Sequence, residues 1–298
     1  MKKLIRPAML IVPLTAGWFV PQAAILAAEP VNFIRWALCL MLFLNILPVS
    51  FADLKPCREH FIVLLLNIAM GVIPYLLLKF LIPGNEDFAQ GAFFTGIAPT
   101  AVSAAVIVSL LNGKVGFAIT GFIISSLGIC LALLGLLPWV TGNLNINFFF
   151  SVLNTLLTVI ALPLICARIT GKIFPKIVEY TAVLKKITLY LWSFTLFIVA
   201  AVARKNFEAN SDSSAISIWI LLAISLVICA LNFLLGYLCA RKDYRRDASQ
   251  ILGQKNTTFA IFLVLEYSSG SAPLCTIFYV LFHNLWNSAQ LAWQRESK

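Results

Sequence analysis

The residues of this chain with the most chemical content form a polar knot inside an apolar run. The stretch Ile251-Leu-Gly-Gln-Lys-Asn-Thr-Thr-Phe259 surrounds Lys255 with Gly253, Gln254, Asn256, Thr257 and Thr258. Of 22 Lys and Arg residues, Lys255 is the one that falls well inside an apolar span and not at its edge or in a loop. A cation at membrane depth is expensive unless it faces a partner or a water-filled cavity. Four roles fit it: an ammonium standing in for a coordinated cation, a counter-charge for an anionic substrate, a proton carrier tuned by desolvation, or a lysine snorkelling to the interface. Asn256, Thr257 and Thr258 suit either substrate contact or capping of a second half-helix, because Asn and Thr favour helix starts.

A second irregular segment, Gly96-Ile-Ala-Pro99-Thr100-Ala-Val-Ser103, interrupts another apolar run. Pro99 removes one backbone donor and clashes with the preceding turn, so a helix here breaks. His283 and Asn284 are weaker candidates. A lone histidine in a span is more often a satisfied structural residue than a titrating one, although its side chain titrates near neutrality. Ser103, Ser125 and Ser126 read as small interface residues, and Asn45, Asn67 and Asn154 as interhelical hydrogen-bonding groups. Glu266 falls near the end of its span and is expected to be exposed.

The elements that must hold these residues follow from composition. The chain is 61% hydrophobic and 11% charged, with a mean hydropathy of +0.94, whereas soluble domains carry about 25% charged residues. It reads as an all-α polytopic membrane protein. Runs of about 20 apolar residues mark spans, and ten occur, at about 7–27, 32–52, 59–82, 88–111, 115–140, 147–168, 186–203, 214–240, 247–268 and 272–293. The run at 7–27, interrupted by Pro13 and Pro21, suits a bent first span better than a cleaved signal.

The net charge of +10 reports topology and not nucleic-acid binding. With both termini cytoplasmic, 17 basic residues fall in inside segments and 4 in outside segments, namely Arg35, Lys79, Arg204 and Lys205. This bias sets orientation and points to an inner plasma membrane location. The seven cysteines show no metal or disulfide spacing and read as buried apolar side chains. Glycines at 71, 91, 96, 116, 121 and 128 are expected to allow close helix approach. Neither a cofactor nor a metal is expected.

The chain reads as one polytopic domain, 1–298, divided near 141–147 into halves of about 1–140 and 146–293. Five spans per half force the halves into opposite orientations, the arrangement of inverted-topology repeats. The interrupted spans 4 and 9 occupy corresponding positions in the two halves. Matched broken helices point to a transporter's binding site, because irregular backbone is tolerated at membrane depth only where it lines a cavity or is buried in protein.

Three segments carry a family resemblance. Ala98-Pro99 with the small residues after it, followed by Asn112-Gly113-Lys114-Val115, resembles the fourth and fifth spans of the bile acid:sodium symporter family. Gly253-x-x-Asn256-x-x-x-Ala260 resembles that family's ninth span, and Phe282-His283-Asn284 through Ser288, Leu291, Ala292 and Trp293 its tenth. The resemblance implies ten helices, with a core domain from spans 3–5 and 8–10 and a panel domain from spans 1, 2, 6 and 7. It also implies that the broken helices cross and that sodium binds behind the crossing. Where the family carries sodium ligands, however, this chain has Ala104, Ala105, Ala118, Phe122, Ile251 and Lys255. Sodium needs oxygen ligands, as other hard cations do.

The expected function is a secondary transporter moving a small organic anion, a carboxylate, by alternating access without sodium. Lys255, Gln254, Asn256, Thr257, Pro99, Thr100, Ser103, His283 and Asn284 are the expected substrate or ion site, and the proton stays open as a coupling ion. The alternatives are a sodium-coupled bile-acid-type symporter and a non-transporting membrane sensor. An enzyme is disfavoured because no Gly-x-Ser-x-Gly, no His-Glu-x-x-His and no paired in-span aspartates occur.

Overall fold

A computed structural model describes residues 12–27, 32–47, 55–101, 103–209, 215–268 and 270–296. The start of the first expected span, Val102, the loop at 210–214 and both chain ends lie outside them. The described residues form helices joined by short turns, with no strand among them: α1 (12–19), α2 (Phe33–Ile46), α3 (Arg58–Leu81), α4 (Glu86–Ile97), α5 (Ser103–Leu110), α6 (Val115–Thr141), α7 (Ile146–Leu156), α8 (Leu162–Ile173), α9 (Thr181–Ala209), α10 (Ala215–Cys239), α11 (Arg245–Gly253), α12 (Thr257–Tyr267) and α13 (Ala272–Glu296). Among the described residues four segments are long and apolar enough to cross a membrane: α3, α6, the α7–α8 segment and Ile216–Cys239 of α10. Together with the composition, this makes the chain a helical membrane protein.

The chain forms two compact units that interleave in sequence, one made of Met1–Val49 and Ile146–Ser213, the other of Ser50–Asn145 and Ser214–Lys298. In the first, α1 gives way at Pro21 to a 3-10 turn, Pro21–Ala27. Its Gly17 lies so close to α9 that a Cβ there would come 2.0 Å from the Phe197 carbonyl oxygen. Phe33 of α2 meets Phe194 of α9 edge to face at 5.0 Å. A π-turn at Leu157–Ala161 joins α7 to α8, so the expected sixth span is not a regular helix. The Cys39 thiol donates to the Thr158 carbonyl within that turn at 3.3 Å.

The second unit holds both broken helices. α3 and α4 pack through glycines. A Cβ on Gly96 would sit 1.9 Å from the Met70 carbonyl oxygen, and one on Gly71 would sit 2.6 Å from the Ile97 Cβ. Gly91, Gly121 and Gly128 are tight as well, whereas Gly116 is exposed and nothing lies within 4 Å of its added Cβ, against the expectation for it. Tyr75 of α3 reaches the Val140 carbonyl at the far end of α6.

At the opposite end of α3 and α6, side chains lock the start of α11. Glu59, 1% exposed, receives Arg241 through two guanidinium nitrogens. The Glu59 carboxylate, first by that hydrogen bond and then by its charge, raises the Arg241 pKa further. Asp247 accepts from the Lys114 amide at 3.1 Å. Tyr244 stacks on Phe117 at 4.6 Å, and Phe117 on His60 at 4.2 Å.

The glycine contact between α3 and α4 sets the position of the first break. Gly96→Ala places a methyl group against the Met70 backbone, which cannot rotate away. Overpacking of this kind costs about 1–3 kcal/mol or more. The variant should therefore melt well below the wild type in detergent, whereas Gly116→Ala, in open space, should melt with it.

Candidate functional site: a crossing of two broken helices

α4 stops because Ala98, preceding Pro99, takes an extended conformation, φ −49° and ψ 134°, as residues before proline do. A continued helix would close the Gly96 carbonyl with the Thr100 amide. That amide turns instead to the Ser125 hydroxyl on α6, at 3.0 Å. α11 stops at Gly253, and the Lys255 amide bonds the Gly253 carbonyl and not that of Ile251, four residues back. Each break thus releases a buried carbonyl, and such a group costs free energy comparable to a lost hydrogen bond.

The two breaks satisfy each other. Thr100 and Lys255 pair as an isolated antiparallel bridge. It is flanked by the Ala101 amide on the Gln254 carbonyl at 2.8 Å and the Asn256 amide on the Pro99 carbonyl at 2.7 Å. Their side chains then exchange partners. Lys255 Nζ donates to the Gly96 carbonyl at 2.9 Å, the group Thr100 left open. Thr100 Oγ1 donates to the Ile251 carbonyl at 2.7 Å, the group Lys255 left open. The Gly253 carbonyl, already bonded by the Lys255 amide, also receives the Tyr279 hydroxyl of α13 at 2.8 Å.

Lys255 is 1% exposed. Its second acceptor is Asn67 Oδ1 of α3, whose Nδ2 donates to Ser125 Oγ at 3.2 Å. The side-chain nitrogen therefore sits at the C-terminal end of the half-helix α4, where the negative end of the helix dipole favours a cation. Its acceptors are a carbonyl and an amide oxygen. This geometry excludes snorkelling, which needs an exposed ammonium.

Seven expected site residues meet at this crossing: Pro99, Thr100, Ser103, Gln254, Lys255, Asn256 and Thr257. Asn256 caps α12, its Oδ1 accepting from the Phe259 amide at 3.2 Å. Gln254 donates to Ser103 Oγ at 3.0 Å and accepts from Asn287 Nδ2 of α13. Thr257 and Thr258 are buried in the first turn of α12.

The other two do not join them. His283 is buried with its ring edge-on to Tyr279, 5.5 Å away. Asn284, half-buried, donates to the Val280 carbonyl of its own helix at 2.7 Å. Glu266 is exposed, as its place near the helix end required.

Ser125 departs from its expected role as a packing residue, since it accepts from both the Thr100 amide and Asn67. Asn67 bonds between helices as an in-span amide should, but its partner is the lysine. The available signal was the pairing of an amide in one apolar run with a cation in another.

Of the six positions expected to lack sodium ligands, all but Lys255 are packed apolar. Ala118 and Ile251 belong to a buried cluster with Val63, Val108, Phe117 and Leu252, and Ala105 packs against it. Ile251 fills the space beside Gly121, where a Cβ would approach its Cδ1 to 2.6 Å. Ala104 and Phe122 are also buried. Among the described residues no cluster of His, Cys, Asp or Glu could hold a metal ion.

No family model matches the chain, and no curated protein matches its sequence.

Thr100→Val keeps the shape of the side chain and strands the Ile251 carbonyl, which should cost about 1–3 kcal/mol. Lys172→Gln, at an exposed position of the other unit, should stay within about 0.5 kcal/mol of wild type. Denaturant unfolding of the two purified variants measures the contrast.

Proposed function

We propose that this chain is a secondary transporter that moves a small organic anion across the membrane by alternating access, without sodium. On this reading ten spans form an inverted five-plus-five repeat of the bile acid:sodium symporter type, with both termini cytoplasmic in the plasma membrane. The unit containing the crossing is the core, and the unit containing α1, α2 and α7–α9 is the panel. The observation that carries the proposal is the pair of half-helix breaks joined by the Thr100–Lys255 bridge, since broken backbone inside an apolar unit is the signature of a transport site. The interleaving of the two units, 55–145 with 215–296 in one, supports the division into core and panel.

Lys255 is then the site's built-in cation. Two of its donors go to Gly96 and Asn67 and its side chain is sealed from solvent, which argues against a role as the substrate's counter-charge or as a mobile proton carrier. Apolar packing around Ala118 and Ile251 supports independence from sodium. The substrate anion would meet the N-terminal ends of α5 and α12, beside the exposed Ser103 and the half-buried Asn256, because helix N-termini favour negative charge.

Proteoliposome uptake of a panel of carboxylates tests this. Uptake should occur, and should be equal in sodium, potassium and choline buffers. A several-fold stimulation specific to sodium would favour the sodium-coupled alternative, and saturable binding of a carboxylate without flux would favour the sensor.

A further inference from the structure

The second unit carries a dense basic surface at the end of α3, α6 and α10 opposite Tyr75 and Val140. Three helices able to cross a membrane have an end there: α3 begins at Arg58, α6 at Val115, and α10 stops at Cys239. Contacts tie these ends together, through Arg241 on Glu59, Lys114 over the Tyr244 ring at 4.0 Å, and Asp247 on the Lys114 amide. Around them Arg58, Lys114, Arg241, Lys242 and Arg246 are exposed.

The acids nearby do not neutralise this surface from outside. Glu59 is buried beneath Arg241 and Asp247 is buried against the Lys114 amide. Asp243 alone among the acids of this turn is exposed. Orientation by the positive-inside bias needs only cations near span ends. It does not need the acids sunk beneath them, or an aromatic ring held between Lys114 and Arg241, which lies 5.6 Å from Tyr244. A focused cationic rim at the level where three spans leave the bilayer matches the height and charge of lipid phosphates, and clusters of four or more basic residues beside a span recognise anionic lipids.

We infer that this rim, with Lys114, Lys242 and Arg246 as its exposed donors, binds the headgroup of an anionic phospholipid. The inference needs the protein to lie in a membrane and does not depend on transport. A bound headgroup braces the turn that enters α11, and α11 ends at the crossing.

Melting of the full chain in a neutral detergent tests it, because a ligand that binds only the folded state raises apparent stability. Phosphatidylglycerol should raise the apparent melting temperature in a saturable way, and added salt should reduce the shift. Phosphatidylcholine and glycerol phosphate should leave it unchanged. The shift should persist in Lys172→Gln/Lys176→Gln, which removes two exposed cations of the other unit. It should be lost in Lys242→Gln/Arg246→Gln, with Lys114→Gln as the substitute if that variant does not fold. An equal shift in the rim variant, an equal loss in the control variant, an equal effect of glycerol phosphate, or no shift in wild type each overturns the inference.

Discussion

Two helices that stop inside an apolar unit leave carbonyls with no amide to close them, and in this chain each break supplies what the other lacks. Lys255 fills the Gly96 carbonyl while Thr100 fills that of Ile251, and the backbone bonds of Ala101 and Asn256 hold the two residues opposite each other. The exchange is reciprocal, so neither break is satisfied without the other. Much of the second unit serves this point. Gly96 must be a glycine for α4 to approach α3, that approach brings Asn67 within reach of the ammonium, and Ser125 of α6 takes the Thr100 amide that would otherwise have closed α4.

The charge of Lys255 has a physical rationale in the same geometry. Broken helices end in aligned carbonyls, whose negative ends ask for a cation. A diffusing ion could provide it only where oxygen ligands line the space behind the crossing. On the proposed reading this chain does without such an ion, and Ala118 and Ile251 lie in a buried apolar cluster. On that reading a covalently attached ammonium keeps a charge in place without an ion, at the cost of fixing what an ion could vary.

The positions of the breaks were legible in the sequence because Pro99 and the Gly253 knot violate helical continuity locally. The importance of Lys255 was legible for the same reason, as a charge where hydropathy forbids one. Its partners were not. Asn67 lies 188 residues from Lys255 along the chain, and an in-span amide looks the same whether it meets another amide or a cation. Ser125 was indistinguishable from the small residues that merely let helices pack. His283 and Asn284 show the converse failure: His283 packs edge-on to Tyr279, and Asn284 donates to a carbonyl of its own helix. The lock of Arg241 on Glu59 was hidden because span-end charges carry a topological signal that masks pairing.

The Lys255 side chain closes the crossing by bonding Asn67 and Gly96. A double-mutant cycle on Lys255→Met and Asn67→Leu, read by unfolding free energy of the purified protein, addresses that bond directly. If the two side chains act as one, the cycle should give a coupling of roughly 1–3 kcal/mol, with the second substitution costing far less once the first is made. Effects that add to within about 0.5 kcal/mol would contradict the account, since that is the behaviour of independent sites.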